Sequence, residues 1–390
     1  MIYLDHNATS PLRASAREAM LEALGETGNA SSVHASGRRA RARIEDARAK
    51  VARLAGAPPA SVVFTSGGSE ANALALRGAV AGAFEAEKRI TRVFISAIEH
   101  GSVRANAAAL AESVPGIRLS EMTVAKDGVV DLAAFRLQLL QGKGRALVSI
   151  MAANNETGVV QPLEGVAELV RKEGGEGALL HVDAVQAAGR IRVPFDGIGA
   201  DYMTISAHKL GGPQGAGALI LREGAPLAPL FAGAQESFRR GGTENIAAIA
   251  GFGAAAAEAA DFAADMIRLR TLRDRFEAGL KRLAPSAVIF GEGAPRLPNT
   301  SNFAVPGLAA ETALAALDLD GIAISSGAAC SSGKVRPSHV LAAMGADEAL
   351  ARCGLRVSLG WSTAEDDIDA ALASVARLLE RKRGLKAAAA

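Results

Sequence analysis

Short runs of aliphatic and β-branched residues punctuate the chain at 61–65 (SVVFT), 92–96 (RVFIS), 146–150 (ALVSI), 179–182 (LLHV) and 202–205 (YMTI). Between them, stretches such as 70–83 and 163–172 space their apolar residues three and four apart, as an amphipathic helix requires. Strand-like runs alternating with helical ones predict an α/β fold, a mostly parallel sheet with helices on both faces. The run at 218–221 (ALIL) follows a Gly/Pro-rich turn too closely for a helical crossover, so it is expected to run antiparallel. From about Ala254 the pattern changes. A charged helical stretch passes through Asp265, Arg268, Arg270, Arg273, Asp274 and Glu277, then come β-type segments at 299–305 and 355–359 and a closing helix at about 365–383. The pattern predicts a large domain over residues 15–260 and a smaller α+β domain made of 1–14 plus 261–390.

Length supports that division, because 390 residues exceed the roughly 250–300 at which one hydrophobic core stops growing. With 43 Lys+Arg against 41 Asp+Glu, the net charge of +2 offers no field that would draw nucleic acid. Two cysteines exclude a disulfide framework and fit a reducing compartment, where a special cysteine is reactive rather than structural. The start, Met1 to His6, lacks the basic and apolar regions of a signal peptide, and the uncharged stretch 246–257 falls short of the ~20 residues of a bilayer span. A cytoplasmic protein that binds neither membrane nor nucleic acid is expected.

The chemistry lies just after the strand-like runs. After Thr65 comes Ser66-Gly67-Gly68-Ser69, a glycine turn entering a helix, which suits a phosphate. After Ser96 come Glu99 and His100; after Ile150, Asn154-Asn155-Glu156-Thr157-Gly158; after Val182, Asp183 and Gln186; after Ile205, Ser206, His208 and Lys209. Ligands of open α/β sheets bind at the carboxyl ends of strands. Each residue alone has a plain structural explanation, such as a helix cap or a packed side chain. Together, a phosphate cradle, an acid and a lysine match the needs of pyridoxal phosphate: an anion site, a partner for its ring nitrogen and an amine for its aldehyde. Gly251-Phe252-Gly253 imitates a dinucleotide fingerprint but has no strand before it, and the six histidines show no paired spacing for a metal.

With the motifs Tyr3 to Thr9, Phe64-Thr65-Ser66-Gly67, Asn154 to Gly158, His181 to Gln186, Ser206-Ala207-His208-Lys209, Arg239 to Asn245 and Ser325 to Gly333, the chain resembles the cysteine desulfurases. These are pyridoxal-phosphate enzymes of the class V aminotransferase group, and the likeness is to the class holding the nitrogenase-associated and iron–sulfur-cluster enzymes. The resemblance implies fold type I of the pyridoxal-phosphate transferases with a seven-stranded sheet, and a homodimer. It implies conversion of L-cysteine to L-alanine, with sulfur passing through an enzyme persulfide to an acceptor protein, either a cluster scaffold or a sulfur carrier.

By the same resemblance Lys209 carries the cofactor and moves the α-proton, Asp183 pairs with the ring nitrogen, and Gln186 and Asn155 lie near the ring oxygen. His100 stacks on the ring and shuttles protons. Gly68, Ser69, Ser206 and His208 hold the phosphate, joined by Thr243 across the dimer. Alternation points Arg356 inward with Ser358, and a buried arginine needs an anion; the substrate carboxylate is expected there, with Asn29 assisting. Cys330, among Ser, Gly and Ala, suits a loop nucleophile, with Lys334 and Arg336 favouring its thiolate. Cys353 is expected in the core. Alternatives on the same scaffold are a selenocysteine lyase, an aminotransferase, or an inactive cofactor-binding scaffold for cluster assembly. The related enzymes often carry an acidic residue where Arg336 stands.

Overall fold

Among the described residues there are twelve strands: β1 (Ile2–Tyr3), β2 (Val62–Thr65), β3 (Ile90–Ser96), β4 (Arg118–Met122), β5 (Arg145–Met151), β6 (Leu179–Asp183), β7 (Tyr202–Ser206), β8 (Gly217–Leu221), β9 (Val288–Ile289), β10 (Thr300–Ala304), β11 (Ile322–Ala323) and β12 (Gly354–Ser358); all but β1, β4, β9 and β11 fall on the β-type runs of the sequence. The computed structural model describes residues 1–326 and 337–389, with side chains of the last helix as far as Lys382.

Seven strands make one sheet in the order β2-β8-β7-β6-β5-β3-β4. β8 pairs antiparallel with β2 and β7, and every other pairing in this sheet is parallel. Six strands therefore point one way and β8 alone opposes them, as the short connection before 218–221 predicts. Alternate side chains go to opposite faces: Phe94, Val148 and Val182 join one apolar cluster, while Val93, Ile95, Leu147 and Leu179 join another. Both faces are covered, which is why these strands read as continuous apolar runs.

The helix Ile246–Ala259 packs on the helices Ala14–Leu24 and Ala35–Ala55. A Cβ at Gly253 would lie 2.6 Å from Ala47 Cα, and one at Gly251 the same distance from Met20 Cγ. Close helix packing thus accounts for the glycines that imitate a dinucleotide motif.

β12, β10 and β9 form a three-stranded antiparallel sheet. It shares an apolar cluster with Leu4, Leu269, Phe276 and Ile368. The N-terminus joins it: β1 pairs with β11, and Asp5 bridges to Ser358. A further cluster packs Ile98 and Met151, from the ends of β3 and β5, against Phe290, Ala304, Val340 and Cys353. The strand ends of the large sheet, the N-terminal segment and β12 therefore meet in one place.

Candidate active site

Because six strands share a direction, the carboxyl ends of β2, β3, β5, β6 and β7 lie on one edge. Lys209 ends a single 3₁₀ turn, Ala207–Lys209, directly after β7. Its Nζ donates to the carbonyls of Asn7 at 2.6 Å and Ala8 at 2.7 Å. Burial, then the neighbouring Arg190 and Arg356, lower its pKa to about 7 against the opposing pull of Asp5 and Asp183. Near neutral pH much of this amine is unprotonated, the form that serves as nucleophile and base.

Asp183 ends β6 and is buried. Its Oδ1 accepts the Val185 N–H at 3.0 Å and its Oδ2 the Asn72 amide at 2.8 Å. Two residues back, His181 lies between Ser149 Oγ at 2.8 Å and Thr204 Oγ1 at 3.0 Å, tying β5, β6 and β7 together beneath the site. Burial holds its pKa down to about 4, with Asp183 pulling weakly the other way. Glu99 is wholly buried, accepting the Met151 N–H at 2.7 Å. Burial first, then the charge of Asp183, pushes its pKa well above the ordinary carboxylate range.

Gly68 and Ser69 open the helix Gly68–Ala73, which continues through a π turn, Leu74–Gly78, into Ala79–Glu85. The first N–H groups of a helix have no intrahelical acceptor. A Cβ on Gly68 would meet Val185 Cγ2 at 3.0 Å and Ser206 Cβ at 3.4 Å, so glycine keeps this cradle open. The Ser206 hydroxyl is buried without a hydrogen-bond partner among the described residues. His208 Nδ1 lies 3.2 Å from Thr9 Oγ1, and burial, Lys209 and Arg190 hold its pKa down to about 4.

Gln186 Nε2 donates to the Asn7 carbonyl at 3.0 Å, while its Oε1 accepts from Arg190. Asn155 enters through its main chain, its carbonyl accepting Arg356 Nη1 at 2.8 Å and Asn7 Nδ2 at 3.2 Å. The neighbouring Asn154 holds the turn, its Oδ1 accepting the N–H groups of Glu156 and Thr157, both at 2.9 Å. Arg356 is buried on β12, and the anion it needs is already within the chain: Nη2 meets Asp5 Oδ1 at 2.6 Å. Its Nε is buried without a partner among the described residues.

Other expected site residues stand further out. His100 is exposed and caps the helix Gly101–Ser113, its Nδ1 accepting the Ser102 N–H at 3.2 Å. Ser69 and Thr243 are exposed, and Thr243 makes no hydrogen bond among the described residues. Asn29 is exposed on a turn, its Oδ1 accepting the Ser31 N–H at 2.8 Å, and no hydrogen bond among the described residues ties it to Arg356. Cys330, like Lys334 and Arg336, lies outside the described residues. Cys353 is buried in the expected core position, with Sγ 3.3 Å from the Ala349 carbonyl. Residues that sequence reasoning did not single out are Asp5, Asn7, Asn72, Ser102 and Arg190. The motif at 3–9 contains the first two, but Asn7 meets Lys209 and Gln186 through its carbonyl, which no side-chain pattern reveals.

The family model for "Aminotransferase class-V" matches residues 2–371. The chain belongs to the class-V aminotransferase family. It is 40% identical over 393 residues to the "IscS-like cysteine desulfurase" of Mycobacterium tuberculosis, covering 100% of this chain and 99% of that one. It is 42% identical over 387 residues to the "Cysteine desulfurase" of Cereibacter sphaeroides, covering 98% and 97%. The solved structure of the NifS-like protein from Rickettsia africae matches with a TM-score of 0.86 at 34% identity, over 97% of this chain and 99% of that one.

The family is pyridoxal-phosphate-dependent, and the residues here fit the cofactor. The buried Ser206 hydroxyl beside the helix start, without a partner among the described residues, suits a phosphate oxygen. The Asp183 carboxylate suits a ring N–H, and the partly neutral Lys209 amine suits an aldehyde.

Proposed function

We propose that this protein is a cysteine desulfurase: L-cysteine gives L-alanine, and its sulfur passes through an enzyme persulfide to an acceptor protein of iron–sulfur cluster assembly or other sulfur trafficking. A cytoplasmic homodimer is part of this reading. The observation that carries it is the Lys209 amine, lowered to a pKa of about 7, one turn beyond the strand end next to that of Asp183, with the Ser206 hydroxyl on that strand end buried and without a hydrogen-bond partner among the described residues.

Bound pyridoxal phosphate supplies an electron sink for the α-carbon of an amino acid. Lys209 would hold the cofactor, and its Nζ would take and return the α-proton. Asp183 would keep a proton on the ring nitrogen. Gly68, Ser69, Ser206 and His208, with Thr243 of the partner subunit, would bind the phosphate. Gln186 and Asn155 would flank the ring oxygen, and His100 would cover the ring and pass protons. Arg356, whose Nε has no partner among the described residues, and Asn29 would hold the substrate carboxylate.

Cys330 completes the reaction. Its thiolate attacks the substrate sulfur, an S–S bond forms and the C–S bond breaks; the electron pair left on carbon takes a proton. One thiol and one cysteine thus become one persulfide and one alanine, with atoms and electrons balanced. Borohydride reduction of the loaded protein followed by peptide mapping tests the site: the pyridoxyl label is expected on Lys209, and a label on another lysine overturns the reading.

A further inference from the structure

His100 and Asp183 leave different strands, yet a hydrogen-bonded chain joins them. His100 Nδ1 lies 2.8 Å from Ser102 Oγ, Ser102 Oγ lies 3.0 Å from Asn72 Nδ2, and Asn72 Nδ2 lies 2.8 Å from Asp183 Oδ2. Asn72 is 1% exposed and its Oδ1 has no partner among the described residues.

The direction of each bond follows from the chemistry of the ends. A carboxylate oxygen accepts, so the Asn72 amide nitrogen must face Asp183. The flipped amide would set oxygen against oxygen, which explains why the side chain tolerates a buried, unsatisfied Oδ1 instead. The second amide hydrogen goes to Ser102 Oγ. That hydroxyl, accepting from Asn72, turns its own hydrogen to His100 Nδ1, which the Ser102 backbone N–H also approaches at 3.2 Å. Two donors on Nδ1 leave it no room for a proton.

We propose that Asn72 and Ser102 are positioning residues that carry hydrogen-bond polarity from Asp183 to His100, fixing the imidazole as its Nε2–H tautomer. The consequence for catalysis, one defined ring nitrogen offering a proton to the reaction, rests on the cysteine desulfurase reading. The tautomer itself does not.

Long-range ¹H–¹⁵N spectra of the ¹⁵N-histidine protein, cofactor-free and loaded, with His100 assigned through His100→Gln, read the tautomer directly. Wild type should show Nδ1 unprotonated and Nε2 protonated at neutral pH. Ser102→Ala should let an Nδ1–H population appear and lower kcat on L-cysteine about five- to tenfold, the worth of one hydrogen bond, with KM little changed. Ser102→Thr keeps the hydroxyl and should restore both. Asn72→Ala should act in the same direction; if it does not fold, the Ser102 pair carries the test. An Nδ1–H imidazole in wild type, or a Ser102→Ala variant with unchanged tautomer and kcat, overturns the proposal. A loaded wild type inactive on cysteine but still Nε2–H at His100 would defeat the function and support the tautomer assignment.

Discussion

Lys209 Nζ donates to the main-chain carbonyl of Asn7 at 2.6 Å, across 202 positions of sequence. The carbonyl is held in place because Asn7 is itself held: its N–H donates to Ser358 Oγ at 2.9 Å and its Nδ2 to Thr300 Oγ1 at 2.9 Å. The N-terminal segment thus binds the amine from the side of the small sheet while β7 brings it from the large one.

In the cofactor-free protein, labelling of Lys209 by an amine-reactive reagent should be half-maximal near pH 7. Burial, Arg190 and Arg356 depress the amine, and Asp5 and Asp183 resist them. Arg190→Gln should move the midpoint upward. The unfolded chain binds more protons than the folded one between about 7 and the ordinary 10.5, so this group's contribution to stability rises with pH through that window. A wild-type midpoint near 10.5 would show that the pocket does not shift the lysine.

Acid should destabilise the cofactor-free protein through its buried histidines. His181 and His208 are lowered to about 4 and His6 to about 3, chiefly by burial. Below about pH 6.5 the unfolded chain takes up protons that the folded one refuses, so stability falls as pH drops toward 4. For His181 alone the effect is on the order of 3 kcal/mol. Urea midpoints measured from pH 7 to 4 check this, and His181→Gln should flatten the profile.

The parallel core strands and the antiparallel β8 were legible because both faces of the sheet are buried and the turn before β8 is short. β4 was not: as an edge strand reading Arg118-Leu119-Ser120-Glu121-Met122, it carries polar residues on its exposed positions and gives no apolar run. The strand-end residues Asp183, Ser206 and Lys209 showed themselves by following β-type segments. Asp5, Asn72 and Arg190 did not, because each acts on a group distant in sequence: Asp5 pairs with Arg356, Asn72 with Asp183, and Arg190 sits beside Lys209.

Arg356→Lys should weaken substrate binding more than cofactor binding. Lysine keeps a charge for Asp5 but loses the planar fork and the Nε, which has no partner among the described residues. The KM for L-cysteine should rise about tenfold or more, as expected for a lost charge-assisted hydrogen bond, while pyridoxal-phosphate titration stays near wild type. An unchanged KM would remove Arg356 from the substrate site.

Thr243 should act across a dimer. The chain before it exposes Phe231 and Phe238, at 56% and 72%, and Arg240 ties this loop to Glu70 near the helix start at 2.9 Å. Sedimentation is expected to show a dimer at micromolar concentration, and Thr243→Ala to weaken cofactor affinity. A fully active monomer would contradict both expectations.

Cys353→Ala should cost on the order of 1 kcal/mol of packing and leave turnover intact, because that thiol is buried and bonded within its own helical segment. Thermal melts and steady-state rates of this variant check the assignment.

The most direct test of the whole account is single-turnover product analysis of the loaded protein with L-cysteine, wild type beside Cys330→Ala. The wild type should release one L-alanine per site and leave one persulfide on Cys330, identified by mass spectrometry of the peptide. Cys330→Ala should bind the cofactor and L-cysteine yet yield neither product, since the sulfur has no thiolate to accept it. Normal alanine release by Cys330→Ala, or a persulfide on Cys353 instead, would contradict the account.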